Sequence, residues 1–171
     1  MIFLKLIIVL TYSMNNHFTK IKQIRYKALA FGVLTVFLLG FTPAYASTFK
    51  VSQENLVVKK GDVIKLVVSV DSRNNKNYTF KSSIKFPADL VSVHSWQWND
   101  SWMPIVVAGY DSIDNVNGSI VRTGGYPGGI ISQKEFGVIT FIAKKDGKGV
   151  ITLNGGDSFI LNADGEDTLI K

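Results

Sequence analysis

The stretch GSIVRTGGYPGG (Gly118 to Gly129), followed by EFGVITFIAKKDGKGVITL (Glu135 to Leu153), decides the fold class. Ile139, Phe141 and Ala143 fall on one parity. Val138, Thr140 and Ile142 fall on the other. That is a strand with an apolar or semi-apolar residue on both faces. Asp146-Gly147-Lys148-Gly149 reads as a turn, after which Val150 to Leu153 returns as a second strand of a hairpin. Such a hairpin cannot cover both of its faces, so the remaining strands must supply a second sheet.

Working outward, the pattern repeats. Ile64, Leu66, Val68 and Val70 alternate with Val63, Lys65, Val67 and Ser69 in a β-branched run. Tyr78, Phe80, Ser82, Ile84 and Phe86 alternate with Thr79, Lys81, Ser83 and Lys85. Leu90 to Trp98 reads as extended, and Met103 to Tyr110 as an apolar strand. Asp157 to Leu161 and Thr168 to Ile170 read as short strands. Gly, Asn, Asp or Pro separates each pair, and no segment sustains a helical period with caps at both ends. These residues predict an all-β sandwich from one domain of sufficient length for a core.

The formal charge of +6 overstates the basicity of that domain. Five of the 19 Lys and Arg lie within the first 27 residues, which contain no acid; the other 14, and all 13 acidic residues, lie from Ser47 onward. The folded part is close to neutral, with no basic patch calling for nucleic acid. The chain has no cysteine, which excludes disulfides, thiolate metal sites and cysteine nucleophiles.

Lys20, Lys22, Arg25 and Lys27 precede an uncharged run of 14 residues, Ala28 to Phe41, and then Ala44-Tyr45-Ala46. A basic region, a short apolar region and an A-x-A site predict a secretory leader over residues 1–46, cleaved after Ala46, with Ser47 opening the mature domain 47–171. The run is short for a membrane span of about 20 residues, so contact with a membrane is expected only through the leader. Met14 makes a tidier start than Met1, and translation is expected to begin there. The mature chain is therefore expected outside the cell, secreted or at the cell surface.

Nothing in the motifs points to catalysis. His94 is the only histidine of the mature chain, no G-x-S-x-G elbow accompanies it, and neither H-E-x-x-H nor a phosphate loop is present. The carboxylates sit mostly in turns, where Asp has a backbone role. No enzyme and no cofactor are expected. Asp111, Asp114, Asn115 and Asn117, and likewise Asn162, Asp164, Glu166 and Asp167, match no calcium loop and read as turn-forming residues. Trp96, Trp98 and Trp102 could stack on sugar rings if exposed; large apolar side chains ordinarily go inside, and core filling is the favoured reading.

The mature chain resembles a cohesin domain. The likeness spans Thr48 to Ile170. It is carried by V-x-x-G-D-x-I-x-L-x-V-x-V (Val58 to Val70), FPADL (Phe86 to Leu90), Asp114-Asn115 with Gly118 leading into IVRTGG, and Pro127-Gly128-Gly129. GVITFIAK (Gly137 to Lys144) and a closing ADGEDT (Ala163 to Thr168) complete it. The resemblance implies a nine-stranded jelly-roll sandwich and a non-catalytic module for protein–protein binding or adhesion, whose partner is a dockerin-like or other surface protein. It also implies that the partner lies on one sheet, matched here by 78–86, 103–110, 118–124 and 136–144. On outward parity that sheet would present Lys81, Ser83, Lys85, Val121, Val138, Thr140 and Ile142. These residues read equally as a partner patch or as an ordinary solvated face. The alternative function is a carbohydrate-binding module that recognises polysaccharide through Trp96, Trp98 and Trp102. Two departures stand out: Glu166 replaces the last glycine of the closing turn, and Arg122 shares the parity of Ile120. Either the strand is short, or a bulge turns Arg122 out.

Overall fold

The computed structural model describes residues 46–170; the expected leader and the start at Met14 lie outside them. Tyr45–Lys171 clusters as a compact unit. Its regular structure is all strand, apart from one short 3₁₀ turn at Gly155–Asp157.

The first sheet runs β1 (Thr48–Val51), β3 (Val63–Asp71), β9 (Gln133–Ala143) and β5 (Val91–Trp98). The second is centred on β4 (Asn77–Lys85) and β8 (Ser119–Ile130). One flank of β4 is shared by β11 (Thr152–Leu153) and β12 (Phe159–Asn162); β6 (Met103–Pro104) and β7 (Ser112–Asp114) pair with β8. β2 (Asn55–Val58) and β10 (Gly147–Val150) form a separate pair. All of these ladders are antiparallel. Among the described residues there are twelve strand segments where the resemblance implies nine; each flank of the β4–β8 sheet is built from two short pieces.

The alternating residues of β3 and β4 behave as their parity requires. Leu66, Val68 and Val70 from β3 meet Phe80 and Ile84 from β4, Ile120 from β8, and Phe136, Ile139 and Phe141 from β9 in one buried core. Burying each such side chain stabilises the fold by roughly 1.5–3 kcal/mol.

The expected hairpin of β9 with 150–153 does not form. β9 is flanked on both sides, by β3 and β5, and β10 pairs with β2 instead. Gly147 and Gly149 are strand residues there. A Cβ on Gly147 would lie 2.8 Å from Leu90 Cδ1, and one on Gly149 2.6 Å from Pro87 Cγ. These glycines permit close approach rather than a reversal.

The strand expected over Met103 to Tyr110 stops at Pro104. Ile105 donates to Thr123 O at 2.8 Å, and then Tyr110 and Asp111 both donate to Val107 O. The chain arches away, leaving Val106 75% and Val107 57% exposed.

Gly118 is the glycine the turn before β8 requires. Its φ is +67°, and a Cβ would sit 2.1 Å from Phe86 O. Gly118→Ala is expected to cost about 2–3 kcal/mol, read as a lower urea midpoint at unchanged slope.

Ser47 is fully buried. Its N–H donates to Thr168 O at 2.8 Å and its carbonyl accepts from Ile170 N at 3.0 Å. Its hydroxyl donates to Ser72 O and accepts from Asn77 Nδ2. A parallel bridge joins Ser47 to Leu169.

Candidate partner-binding face

The seven residues expected on one outward face divide between two. β9 belongs to the β3–β5 sheet, so Val138, Thr140 and Ile142 lie on the opposite outer surface from Lys81, Lys85 and Val121. There they pair with Val67, Lys65 and Val63. Ser83 has the outward parity but is covered, at 2% exposed. Its N–H donates to Ser158 Oγ and its carbonyl accepts from Asn154 N. The register of β4 with β8 and its flanks therefore defines a different patch. Leu161, Thr79, Gly125 and Met103 form one outward row. Phe159, Lys81 and Thr123 form the next, then Ser83, Val121 and Ser112, then Thr152, Lys85, Ser119 and Asp114.

Lys81 is central. Its Nζ lies 5.0 Å from the ring centroid of Tyr110 and 5.9 Å from that of Phe159. Tyr110 is held in turn by its carbonyl, which accepts from Thr123 Oγ1 at 2.6 Å. The next residue, Asp111, pairs with Arg122. Tyr110, Phe159 and Leu161 were not singled out from the sequence. The alternation of Phe159 and Leu161 about buried Ile160 was the signal available for two of them.

Arg122 answers neither expectation. β8 is long, and its register with β4 is regular from Thr79 to Lys85, so Arg122 faces inward beside Ser82. Asp111 neutralises it, and its guanidinium carbon lies 5.7 Å from the Trp96 ring centroid.

The tryptophans do not form an exposed outer row; they pack against the core, as the core-filling reading expects. Simple alternation puts Trp96 and Trp98 on the face opposite Val91 and Val93. A bulge between Val93 and Ser95 reverses that parity. Both indoles then pack at edge-to-face angles on Phe136, at 5.8 and 5.0 Å, and Trp102 does so at 4.7 Å. Trp102 is buried and donates its Nε1–H to Glu135 O. His94 stays exposed. Asn115 clips the bulged strand: Val93 N–H donates to its Oδ1 and its Nδ2 donates to Val93 O.

The other loop acids close turns. Asp114 accepts from Asn117 N, Asn117 Nδ2 and Val116 N. The Asn117 backbone and amide groups, then Val116, hold its carboxyl below the usual carboxylate range. Asn162 Oδ1 accepts from Asp164 N and Glu166 N.

No family model and no curated protein matches this chain. Solved structures do. The cohesin module of a family 33 glycoside hydrolase from Clostridium perfringens superposes with a TM-score of 0.56 at 14% identity, covering 73% of this chain and 90% of that one. This chain has the cohesin fold. CaCohA2 from Clostridium acetobutylicum gives 0.55 at 15% identity over 72% of this chain and 84% of its own. The third cohesin of ScaC from Acetivibrio cellulolyticus, solved in complex with the ScaB dockerin, gives 0.52 at 18% identity over 64% and 82%. Three of the four segments that the cohesin resemblance assigns to the partner sheet fall on the β4–β8 side of this cohesin fold: 78–86, 118–124 and the start of 103–110.

Proposed function

We propose that this chain is a secreted or surface-displayed, non-catalytic module that docks a dockerin-type protein on the outward face of β4 and β8. The observation that carries the reading is the patch in which exposed Tyr110 and half-buried Phe159, Leu161 and Val121 surround Lys81, on the sheet where most of the resemblance-assigned strands lie. Apolar side chains around a positioned polar group are what a protein interface core needs. Export through a leader starting at Met14 and cut after Ala46 belongs to the same proposal.

The test uses the compact unit Tyr45–Lys171, which carries its own core, immobilised against a panel of purified dockerin modules. At least one is expected to bind, and Val121→Glu is expected to weaken that binding by about 100-fold, the effect of a charge in a desolvated interface centre. Thr140→Glu, on the opposite face, is expected to leave it unchanged. Loss with Thr140→Glu alone, or no binding at all, overturns the reading. Intrinsic tryptophan emission is expected not to shift on adding polysaccharide, because all three indoles pack inward; a saturable shift would restore the sugar-binding alternative.

A further inference from the structure

We infer that the partner offers Lys81 a carboxylate set among apolar side chains, so that the docking contact joins a cation on this chain to an acidic protein surface. The inference rests on the docking reading above and adds the chemistry of the partner to it.

Lys81 is placed before any partner arrives. Its ammonium lies between the Tyr110 and Phe159 rings, an arrangement that restrains a long, flexible side chain. Part of the ordering cost of binding is thereby met in the unbound molecule. Among the described residues, Lys81 takes part in no ion pair. Three carboxylates on the segments flanking this face are engaged elsewhere: Asp111 by Arg122, Asp157 by Asn154 Nδ2, and Asp114 by its own turn. Lys85, on the same face, is also in no ion pair among the described residues, but it has no ring beside it there. Lys81 is therefore the cation set among apolar side chains.

The surroundings decide the sign. A lysine or arginine brought against Lys81 would set two like charges together while the rings exclude water, which is unfavourable. A neutral side chain would strip the ammonium of water and return only a weaker hydrogen bond. A carboxylate returns a charge-assisted bond, and apolar neighbours on the partner can cover Tyr110, Phe159 and Leu161 in the same contact.

The test takes the tightest dockerin of the panel and compares wild type with Lys81→Met and Lys81→Glu, at 50 and 500 mM NaCl. Each variant is first checked by thermal melting. Because Lys81 is on the outer face, both are expected to fold. Wild-type binding is expected to weaken about 10-fold between the two salt concentrations. Lys81→Met is expected to weaken it about 30-fold, and Lys81→Glu by a further factor of about 10. Replacing the matching carboxylate of the dockerin by lysine is expected to restore binding to Lys81→Glu but not to wild type. Binding that depends on Val121 yet is indifferent to salt and to Lys81→Glu, or is strengthened by it, overturns the inference and leaves the docking reading standing. No binding to any dockerin overturns both.

Discussion

Phe136→Ala is expected to lower the unfolding free energy by about 4 kcal/mol. Phe136 is fully buried and sits where the sandwich gathers its rings: Phe49 at 5.5 Å, Trp96 at 5.8 Å, Trp98 at 5.0 Å and Trp102 at 4.7 Å. Edge-to-face pairs add roughly 0.5–1.5 kcal/mol each beyond burial. The alanine variant loses four of them and leaves a cavity that rigid indoles cannot fill by small shifts. Against a total of about 5–15 kcal/mol for a domain, this is enough to leave part of the population unfolded at 37 °C. Urea unfolding followed by tryptophan emission reads it directly, since all three indoles border the site. The midpoint should fall with little change in slope. A loss below about 1 kcal/mol would mean that these rings do not pack as a unit.

The second large effect belongs to the inward-facing ion pair. Arg122 and Asp111 side chains are only 12% and 18% exposed. Asp111→Ala leaves a guanidinium between the sheets with no counter-charge. Arg122 Nε already lacks a hydrogen-bond partner among the described residues, and Ser82 Oγ, across the ladder from Arg122, could offer a neutral acceptor but no counter-charge. A cost of about 3 kcal/mol is expected, the low end for breaking a buried pair. Arg122→Leu should cost less, because Asp111 lies on the arch 105–111 and can turn to water. The double variant Arg122→Leu/Asp111→Ala should be more stable than Asp111→Ala alone, since it removes the uncompensated charge. Additive losses in this cycle would show that the two groups are not coupled. Asp111 also fixes the chain next to Tyr110, so Asp111→Ala should release the ring from Lys81 and weaken docking while the Arg122→Leu/Asp111→Ala pair reports the same loss without the buried charge.

Much of the sandwich could be read from alternation alone. β3 and β4 show it plainly, because one face of each is core and the other is not, and parity then assigns every side chain. Parity fails where the count is broken. Core filling was the right reading of the tryptophans, but residue type carried it and not parity: the extra residue at the bulge between Val93 and Ser95 turns Trp96 and Trp98 against the core, and no residue type in VSVHSWQW announces that bulge. Parity is also silent about neighbours. The two-faced pattern of β9 is correct, but the strands beside it are distant in sequence, and the glycines that resembled a turn were sites of close packing. The partner face suffered from the same silence. Lys81, Lys85 and Val121 do share one outward face, but Val138, Thr140 and Ile142 were joined to them across a sheet boundary that only the pairing reveals. Tyr110 was read as part of a strand that Pro104 ends. Arg122 looked like an error in an apolar row because its counter-charge arrives from an arch whose course the sequence does not specify.

The bonds at Ser47 have a mechanical meaning. Ser47 lies parallel to Leu169, with Thr168 O and Ile170 N–H gripping it on either side. A pull applied between Ser47 itself and Ile170 draws these two segments lengthwise past one another. Both backbone hydrogen bonds, and those of the buried hydroxyl, then carry load together; they cannot be peeled one after another as at the open end of a hairpin. The side chains that close the sandwich chemically are thus also placed to resist stretching along the polypeptide.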